Sequence, residues 1–381
     1  MEQEIEKLKR KNNHKKVVII VLTICLGISI ILNIPVVRKK VRRQYRNVMS
    51  SVTVDSNDEN YNSKYKLNLT SVYGDAEAYH PKILDFNEKW NGYEYWLTYT
   101  PYPDSDEQKE NPHVVASNDL INWETPQGFQ NPLDDVPGDD HKKYNSDSHL
   151  TYNNDLGRLE CYWRFVNDED NSVTIYRMWT KDGVNWAKKE VVAYSENRKQ
   201  KDYVAPAIIY EDGKYKIWYV DHDLVIMYAE ADVDSKNWND VKKIELEYPK
   251  KLQPWHLDMV KTDKGYEMIL MAFENWEKRG LASLYHSISI DNENWSKCTE
   301  IIKPTTDTNY WDNRGIYRSS MIKKDGVYLV YYSASNIYNI KGIGIMYGKD
   351  INNLKKVNID YKNDKEAAKK FAKIIEEERG I

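Results

Sequence analysis

Four of five short segments in this sequence carry an ionisable side chain that could transfer protons or bind a polar ligand. The segments are Tyr79-His80-Pro81, Ser146-Asp147-Ser148-His149, Val204-Ala205-Pro206, Trp255-His256-Leu257-Asp258 and Tyr317-Arg318-Ser319. Carboxylates and imidazoles are common general acids and bases, and arginine binds carboxylates and other anions through paired hydrogen bonds. The segments begin 51 to 67 residues apart. A fold that repeats at this interval would bring them together.

Such a repeat is present as a turn that ends in Asn-Trp. Its copies are Ser117-Asn118-Asp119-Leu120-Ile121-Asn122-Trp123, Thr180-Lys181-Asp182-Gly183-Val184-Asn185-Trp186, Asp234-Ser235-Lys236-Asn237-Trp238, Ser289-Ile290-Asp291-Asn292-Glu293-Asn294-Trp295 and a degenerate Gly348-Lys349-Asp350-Ile351-Asn352-Asn353-Leu354. The final residues of successive copies are 63, 52, 57 and 59 positions apart. A unit of this length suits a four-stranded propeller blade.

The interior of each unit predicts strands, because a glycine turn is followed by alternating large residues, as in Gly213-Lys214-Tyr215-Lys216-Ile217-Trp218. We interpret the repeated turn as structural. Its Asp and Asn side chains would bond to the turn backbone, and its Trp would pack between blades.

The sequence therefore predicts an all-β fold, a five-bladed β-propeller over residues 71–360, with blades that begin near residues 75, 145, 203, 254 and 315. Residues 361–381 predict a C-terminal helix, capped by Asn363, with Ala368, Phe371 and Ile375 on one face and Gly380 after its end. We expect it to pack against the propeller; a solvated charged helix is the alternative.

The N-terminal region predicts a single-pass membrane anchor. A basic cytoplasmic segment (1–16) precedes an apolar run (17–37) long enough to span a bilayer, and a basic and polar stalk (38–70) follows. A cleaved signal peptide is the alternative, but the end of the run is a poor cleavage site. Six Lys/Arg lie on each side, so charge does not set the orientation. We place the propeller outside the cell because its features suit glycan binding.

Charge and cysteine content exclude other classes. Residues 1–46 carry a net charge of +9, whereas residues 47–381 carry 43 basic and 56 acidic residues, a net charge of -13. An acidic body of this kind argues against nucleic acid as a partner. Cys25, Cys161 and Cys298 form neither a metal motif nor a disulfide framework, and no metal-ligating residues are identified.

The segments at the predicted funnel, together with Glu110-Asn111-Pro112-His113-Val114-Val115-Ala116-Ser117, resemble the glycoside hydrolase family 43 group over roughly residues 75–355. The likeness is greatest to the family-43-like proteins of Gram-positive bacteria. The resemblance implies a five-bladed propeller with a carboxylate base, an orienting Asp and a Glu acid on its first three blades. It also implies a fourth-blade histidine that holds a central calcium ion or water. Asp147 lies at the second-blade position of this pattern and His256 at the fourth-blade position. Arg318 suits a substrate-binding arginine.

Two positions depart from the family pattern, because the first-blade position holds His80 and the third-blade position holds Val204. The candidate catalytic residues are therefore Asp147, Asp258, His80 and Glu110, since glycoside hydrolysis usually needs two carboxyl groups. The alternative for Asp147 and Asp258 is that they bond only to sugar hydroxyls or to blade backbone. For His256 the alternative is a structural channel histidine.

Substrate binding is predicted for a second set of residues: Arg164, His256, Arg318, Tyr317, Trp255 and Tyr102. The arginines could instead pair with buried carboxylates. Trp and Tyr total 42 against five Phe, and rings with a polar edge suit stacking on sugars.

Two functions remain open. The first is a membrane-anchored glycoside hydrolase acting on an extracellular polysaccharide or oligosaccharide, which we favour slightly. The alternative is a non-catalytic glycan-binding propeller that has lost the base and acid carboxylates. A sialidase-type propeller is a weaker third idea, because that chemistry needs three arginines and the predicted funnel supplies one.

Overall fold

The computed structural model describes residues 65–136, 141–232, 238–306, 310–337, 339–360 and 364–380. The predicted basic segment, anchor and most of the stalk lie outside these residues. Within the described part of the chain, no helix combines the length and apolar character needed to cross a membrane.

Five antiparallel sheets follow one another along the chain, so the predicted five-bladed propeller is confirmed. Blade one contains β3 (Tyr79–Trp90), β4 (Tyr93–Thr100) and β5 (His113–Ser117). Blade two contains β6 (Lys143–Asn153), β7 (Arg158–Asn167), β8 (Ser172–Thr180) and β9 (Glu190–Ser195). Blade three contains β10 (Val204–Glu211), β11 (Lys214–Val220), β12 (Ile226–Asp232) and β13 (Asn239–Ile244). Blade four contains β14 (Gln253–Thr262), β15 (Gly265–Phe273), β16 (Ser283–Ser289) and β17 (Thr299–Ile302). Blade five contains β18 (Gly315–Lys324), β19 (Val327–Ser335), β20 (Lys341–Gly348) and β21 (Lys355–Lys356).

A few short elements complete the fold. A ribbon of β1 (Thr70–Ser71) and β2 (Gly74–Asp75) precedes blade one. Three 3-10 helices span Pro103–Ser105, Glu107–Lys109 and Trp276–Leu281. Blade one differs from the predicted four-stranded unit, because its fourth position is a single bridge between Ala116 and Glu124 in the described part of the chain.

The hydrogen bonds of the repeated turn support its structural interpretation. Asp182 Oδ1 accepts from the backbone N–H of Val184 and Asn185, and its Oδ2 accepts from Asn185 Nδ2. Asp119 and Asp291 make the same three bonds in their own turns. Each carboxylate closes its turn, so these aspartates serve the fold.

The core lies between neighbouring blades. One apolar cluster joins blades one and two around the fully buried Trp96 and Trp163, with Trp186 of the repeated turn packed against it. Another joins blades three and four around Trp218, with Trp295 at its edge. The turn tryptophans therefore pack between blades, as the repeat predicts.

The C-terminal helix α1 (Asp364–Arg379) packs against the propeller, as predicted. Phe371 and Ile375 are buried in a cluster that includes Val327 and Leu329 of β19. Gly380, with φ of +80°, donates its N–H to Glu376 O and ends the helix. The predicted cap Asn363 lies outside the described residues.

Candidate functional site

Every innermost strand is irregular at the end that faces the mouth of the central channel. Register shifts occur within residues 79–82, 146–149, 204–207, 254–256 and 316–319 of the five inner strands. His80, Asp147 and Ala205 have φ of +53°, +52° and +50°, a conformation that non-glycine residues rarely adopt. β-Bulges re-aim side chains and concentrate beside functional sites. Six of the ten predicted site residues lie on these irregular segments: His80, Asp147, Trp255, His256, Tyr317 and Arg318.

Three of those side chains meet at the mouth of the channel. Asp147 Oδ1 lies 3.1 Å from His256 Nε2 and 3.5 Å from His80 Nε2. One ligand atom from each residue lies within 4.8 Å of the others, and all three residues are buried. We call this group the His-Asp-His cluster. His80, Asp147 and His256 come from blades one, two and four, so the folding of the propeller brings them together.

The protonation of the cluster suits a cation. Burial lowers the pKa of His80 to about 3 and also lowers the pKa of His256, so both imidazoles are neutral near pH 7. Burial alone would raise the pKa of Asp147, but its contact with His256 and the charge of the Arg318 guanidinium hold it well below its usual range. Two neutral imidazoles therefore face one ionised carboxylate.

The hydrogen bonds leave the ligand atoms available. His80 Nδ1 lies 2.7 Å from Thr100 Oγ1, and this contact frees Nε2 to face Asp147. Asp147 Oδ1 has no hydrogen-bond partner among the described residues, and neither has His256 Nδ1. A buried carboxylate oxygen without a partner is costly, and a bound cation would satisfy it.

This donor set fits a transition-metal or zinc ion. Two imidazoles and one carboxylate with open positions are typical of zinc and iron(II) sites, whereas calcium prefers six to eight oxygen ligands. The calcium ion that the family resemblance implies near His256 therefore fits these residues poorly.

Glu110 lies beside the cluster and follows the 3-10 helix Glu107–Lys109. Its Oε2 is 3.8 Å from His80 Nδ1, and the residue is buried. Burial first, and then the charge of Asp147, raise the pKa of Glu110 well above its usual range. The pKa values of these two neighbouring carboxyl groups are shifted in opposite directions, which is common where acid and base roles are separated.

Arg318 presents unused donors to the same site. Its Nη2 donates to Pro206 O at 2.8 Å and lies 3.2 Å from His149 Nδ1. Its Nη1 lies 3.8 Å from Asp147 Oδ1, and Nη1 and Nε have no hydrogen-bond partner among the described residues. A fully buried guanidinium with free donors at the mouth is suited to bind a substrate oxygen.

Asp258 lies in a second layer of the channel, away from the cluster. Lys82 Nζ donates to both of its carboxylate oxygens, at 2.9 and 3.0 Å, and Ser320 Oγ donates to Oδ2 at 2.7 Å. Lys82, Asp258 and Ser320 each follow a mouth residue by two positions, and alternate residues of a strand share a face. The ammonium group of Lys82 thus offsets the charge of Asp258, and a catalytic role for Asp258 stays a prediction.

Arg164 is held rigidly by a partner that the sequence analysis did not identify. Its guanidinium donates to both carboxylate oxygens of Asp202, with bonds of 2.6, 2.8 and 3.1 Å. Both side chains are buried. The structure thus provides the buried carboxylate partner that was the alternative for this arginine, and its role in substrate binding remains a prediction.

Aromatic side chains form a wall from the cluster to the surface. The ring of Tyr317 lies 4.2 Å from that of His256 and stacks on Tyr79 at 4.8 Å. Trp255 Nε1 donates to Tyr317 Oη at 3.3 Å, and the ring of Trp255 is 5.0 Å from that of Trp276, which is 51% exposed. The half-buried Tyr102 lies 6.0 Å from Tyr79.

Several residues of this region were missed by sequence reasoning: Lys82, Thr100, His149, Asp202, Trp276 and Ser320. The two-residue period of the inner strands could have identified Lys82, His149 and Ser320. The other three have no local signal.

Comparisons with known proteins agree with this fold. No family model matches the sequence. The chain is 26% identical over 317 residues to an A type blood N-acetyl-α-D-galactosamine deacetylase of Flavonifractor plautii, which covers 69% of this chain. The chain spans 41% of the length of that relative.

Solved structures share the architecture. The N-acetylgalactosamine deacetylase from F. plautii, in complex with blood group B trisaccharide, has a TM-score of 0.66 and 22% identity, covering 74% of this chain and 93% of that one. An exo-1,5-α-L-arabinanase from a bovine ruminal metagenomic library has a TM-score of 0.51 and 18% identity, covering 72% and 94%. An exo-β-1,3-galactanase from Phanerochaete chrysosporium has a TM-score of 0.52 and 12% identity, covering 78% and 66%. The chain therefore has the five-bladed propeller fold found in glycoside hydrolases, including family 43, and in a carbohydrate deacetylase.

Proposed function

We propose that this chain is a carbohydrate-active hydrolase that removes the N-acetyl group from a hexosamine of a glycan. The observation that carries the proposal is the His-Asp-His cluster, with its neutral imidazoles and a carboxylate oxygen that has no hydrogen-bond partner. The activity named for the F. plautii relative supports the choice of an N-acetyl amide.

We assign a separate chemical role to each polar residue of the mouth. His80, Asp147 and His256 would hold a divalent ion, which when bound acts as a Lewis acid toward an acyl oxygen and toward water. Arg318 would donate from Nη1 to an oxygen of the substrate. Glu110 would give its proton to the departing amine and regain one from the attacking water. One water is consumed, the C–N bond breaks, and acetate and the free amino sugar are the products.

Glycoside hydrolysis is the second candidate. Glu110 Oε2 lies 3.8 Å from His80 Nδ1, and Asp147 Oδ1 lies 3.5 Å from His80 Nε2. The mouth therefore does contain two carboxyl groups. The opposite shifts of their pKa values also suit that reaction, which pairs an acid with a carboxylate. The family's carboxylates are absent from the first-blade and third-blade positions, which hold His80 and Val204, and this weighs against glycoside hydrolysis. A propeller that only binds glycan is the remaining alternative.

The products distinguish these functions. We expect the purified chain, supplied with zinc, cobalt or manganese, to release acetate from oligosaccharides that contain N-acetylhexosamine, without new reducing ends. Acetate is measured by a coupled enzymatic assay, and reducing ends are measured on the same samples. New reducing ends without acetate would support the glycosidase, and neither product across a panel of host and bacterial glycans would support the binding propeller.

We also propose that residues 17–37 anchor the chain in the cell membrane with the propeller outside. The length of the apolar run and the glycan-binding character of the propeller support this placement. Protease added to intact cells should degrade the propeller while a cytoplasmic marker survives. Full protection of the propeller, with digestion only after lysis, would contradict the orientation.

A further inference from the structure

Two arginines near the mouth of the channel differ from the others in how they are paired. Six of the eight arginines of the described residues lie within 4.0 Å of a carboxylate: Arg158, Arg164, Arg177, Arg198, Arg318 and Arg379. Arg318 belongs to the site already described. Arg279 and Arg314 form no ion pair among the described residues. Both are therefore available to an anionic ligand, although residues 47–381 carry a net charge of -13.

These two arginines lie together on blades four and five. Arg279 belongs to the 3-10 helix Trp276–Leu281, is exposed, and lies 5.5 Å from the ring centroid of Trp276. Arg314 packs on the neighbouring Gly280, where a β-carbon would lie 3.0 Å from its Nε. Ile316 donates its N–H to Ala282 O at 3.0 Å and ties the helix to β18. The nearby Glu274 is already paired with Lys250 and Lys278.

The pair faces the aromatic wall of the site. Arg279 lies 5.5 Å from the ring centroid of Trp276, and the ring of Trp276 lies 5.0 Å from that of Trp255. Trp255 Nε1 donates to Tyr317 Oη at 3.3 Å, and Arg314 lies three positions before Tyr317, next to the start of β18. Both arginines therefore lie at the outer end of a path that leads past Trp255 to the cluster.

From this geometry we infer that the site takes an anionic glycan, in which the N-acetylhexosamine is followed by a sugar or linkage that carries a carboxylate or phosphate. The inference rests on the proposed function. The acetamide would lie at the His-Asp-His cluster, the sugar faces would stack on Tyr317 and Trp276, and the anionic group would lie between Arg279 and Arg314. A guanidinium matches both carboxylate and phosphate, and it binds either through paired hydrogen bonds.

Binding to defined oligosaccharides tests this inference independently of catalysis. Calorimetry on the full chain in detergent micelles would compare hyaluronan tetrasaccharide, which carries carboxylates, with neutral chitotetraose of equal length. N-acetylglucosamine 1-phosphate is the probe for phosphate. We expect Arg279→Gln with Arg314→Gln to weaken binding of an anionic probe about tenfold, and to change chitotetraose binding less than about twofold. Lys264→Gln removes one positive charge in the exposed turn between β14 and β15, at the opposite face, and is the control for charge loss away from the mouth.

The outcomes separate the two ideas. Loss confined to hyaluronan assigns a carboxylate, and loss confined to the phosphate probe assigns a phosphate. Equal loss of binding for neutral and anionic probes, no loss for either, or no measurable binding of the anionic probes would overturn the inference. Failure of the proposed function is a different result, namely that no acetate is released from any glycan while the charge-dependent binding persists.

Discussion

Replacing Asp147 with asparagine is expected to lower kcat/KM for glycan hydrolysis by about a thousandfold or more, roughly 4 kcal/mol of transition-state stabilisation. The amide keeps the shape of the side chain but loses the charge that neutral His80 and His256 cannot supply. Metal content, measured by mass spectrometry, should fall with activity. Circular dichroism and thermal unfolding should stay close to those of the parent, because Asp147 Oδ1 has no hydrogen-bond partner to lose among the described residues.

The matched control is Asp263→Asn, the same chemical change in the exposed turn between β14 and β15, far from the mouth. It should leave both metal content and turnover unchanged. If Asp147→Asn kept its turnover on a glycan that the parent hydrolyses, Asp147 would have no part in the mechanism. If it lost turnover but kept its full metal content, the carboxylate would act other than as a ligand.

Replacing Glu110 with glutamine is expected to lower kcat by about a hundredfold to ten-thousandfold, the usual contribution of a positioned acid or base. Because Glu110 is not a member of the His-Asp-His cluster, the metal content and KM should change little. The combination separates the two residues: one variant loses metal and activity, and the other loses activity alone. Stopped assays of acetate release over a range of substrate concentrations give the two parameters.

Glu196→Gln is the control for this change, since Glu196 is exposed between β9 and β10. Should Glu110→Gln keep the parental kcat, proton transfer by this residue would be excluded. A rise in KM with kcat unchanged would instead assign Glu110 to substrate binding.

The fold was predictable because its repeated turn depends on hydrogen bonds between residues that are close in the sequence. In the described copies the aspartate of the turn, such as Asp182, accepts hydrogen bonds from backbone N–H groups within three residues, so the motif can be recognised in the sequence. The tryptophan at its end marks the period, and the period sets the number of blades. Blade one was the exception, because its fourth position is one bridge near Glu124 rather than a strand.

The site was only partly predictable, because its contacts join distant residues. Aligning the blades brought His80, Asp147 and His256 to one mouth. It could not show that their ligand atoms converge, since the three residues come from different blades and form no spacing motif. Asp258 was predicted as a candidate catalytic residue, and its pairing with Lys82, 176 positions away, could not be read from the sequence.

The location of a bound metal ion tests the central claim most directly. Crystals of the chain grown with zinc, measured on both sides of the zinc absorption edge, should show an anomalous peak in contact with His80 Nε2, Asp147 Oδ1 and His256 Nε2. A second group of potential ligands, Asp106, Glu107 and His141, provides an internal comparison. A zinc peak at that second group, with none at the His-Asp-His cluster, would contradict the account.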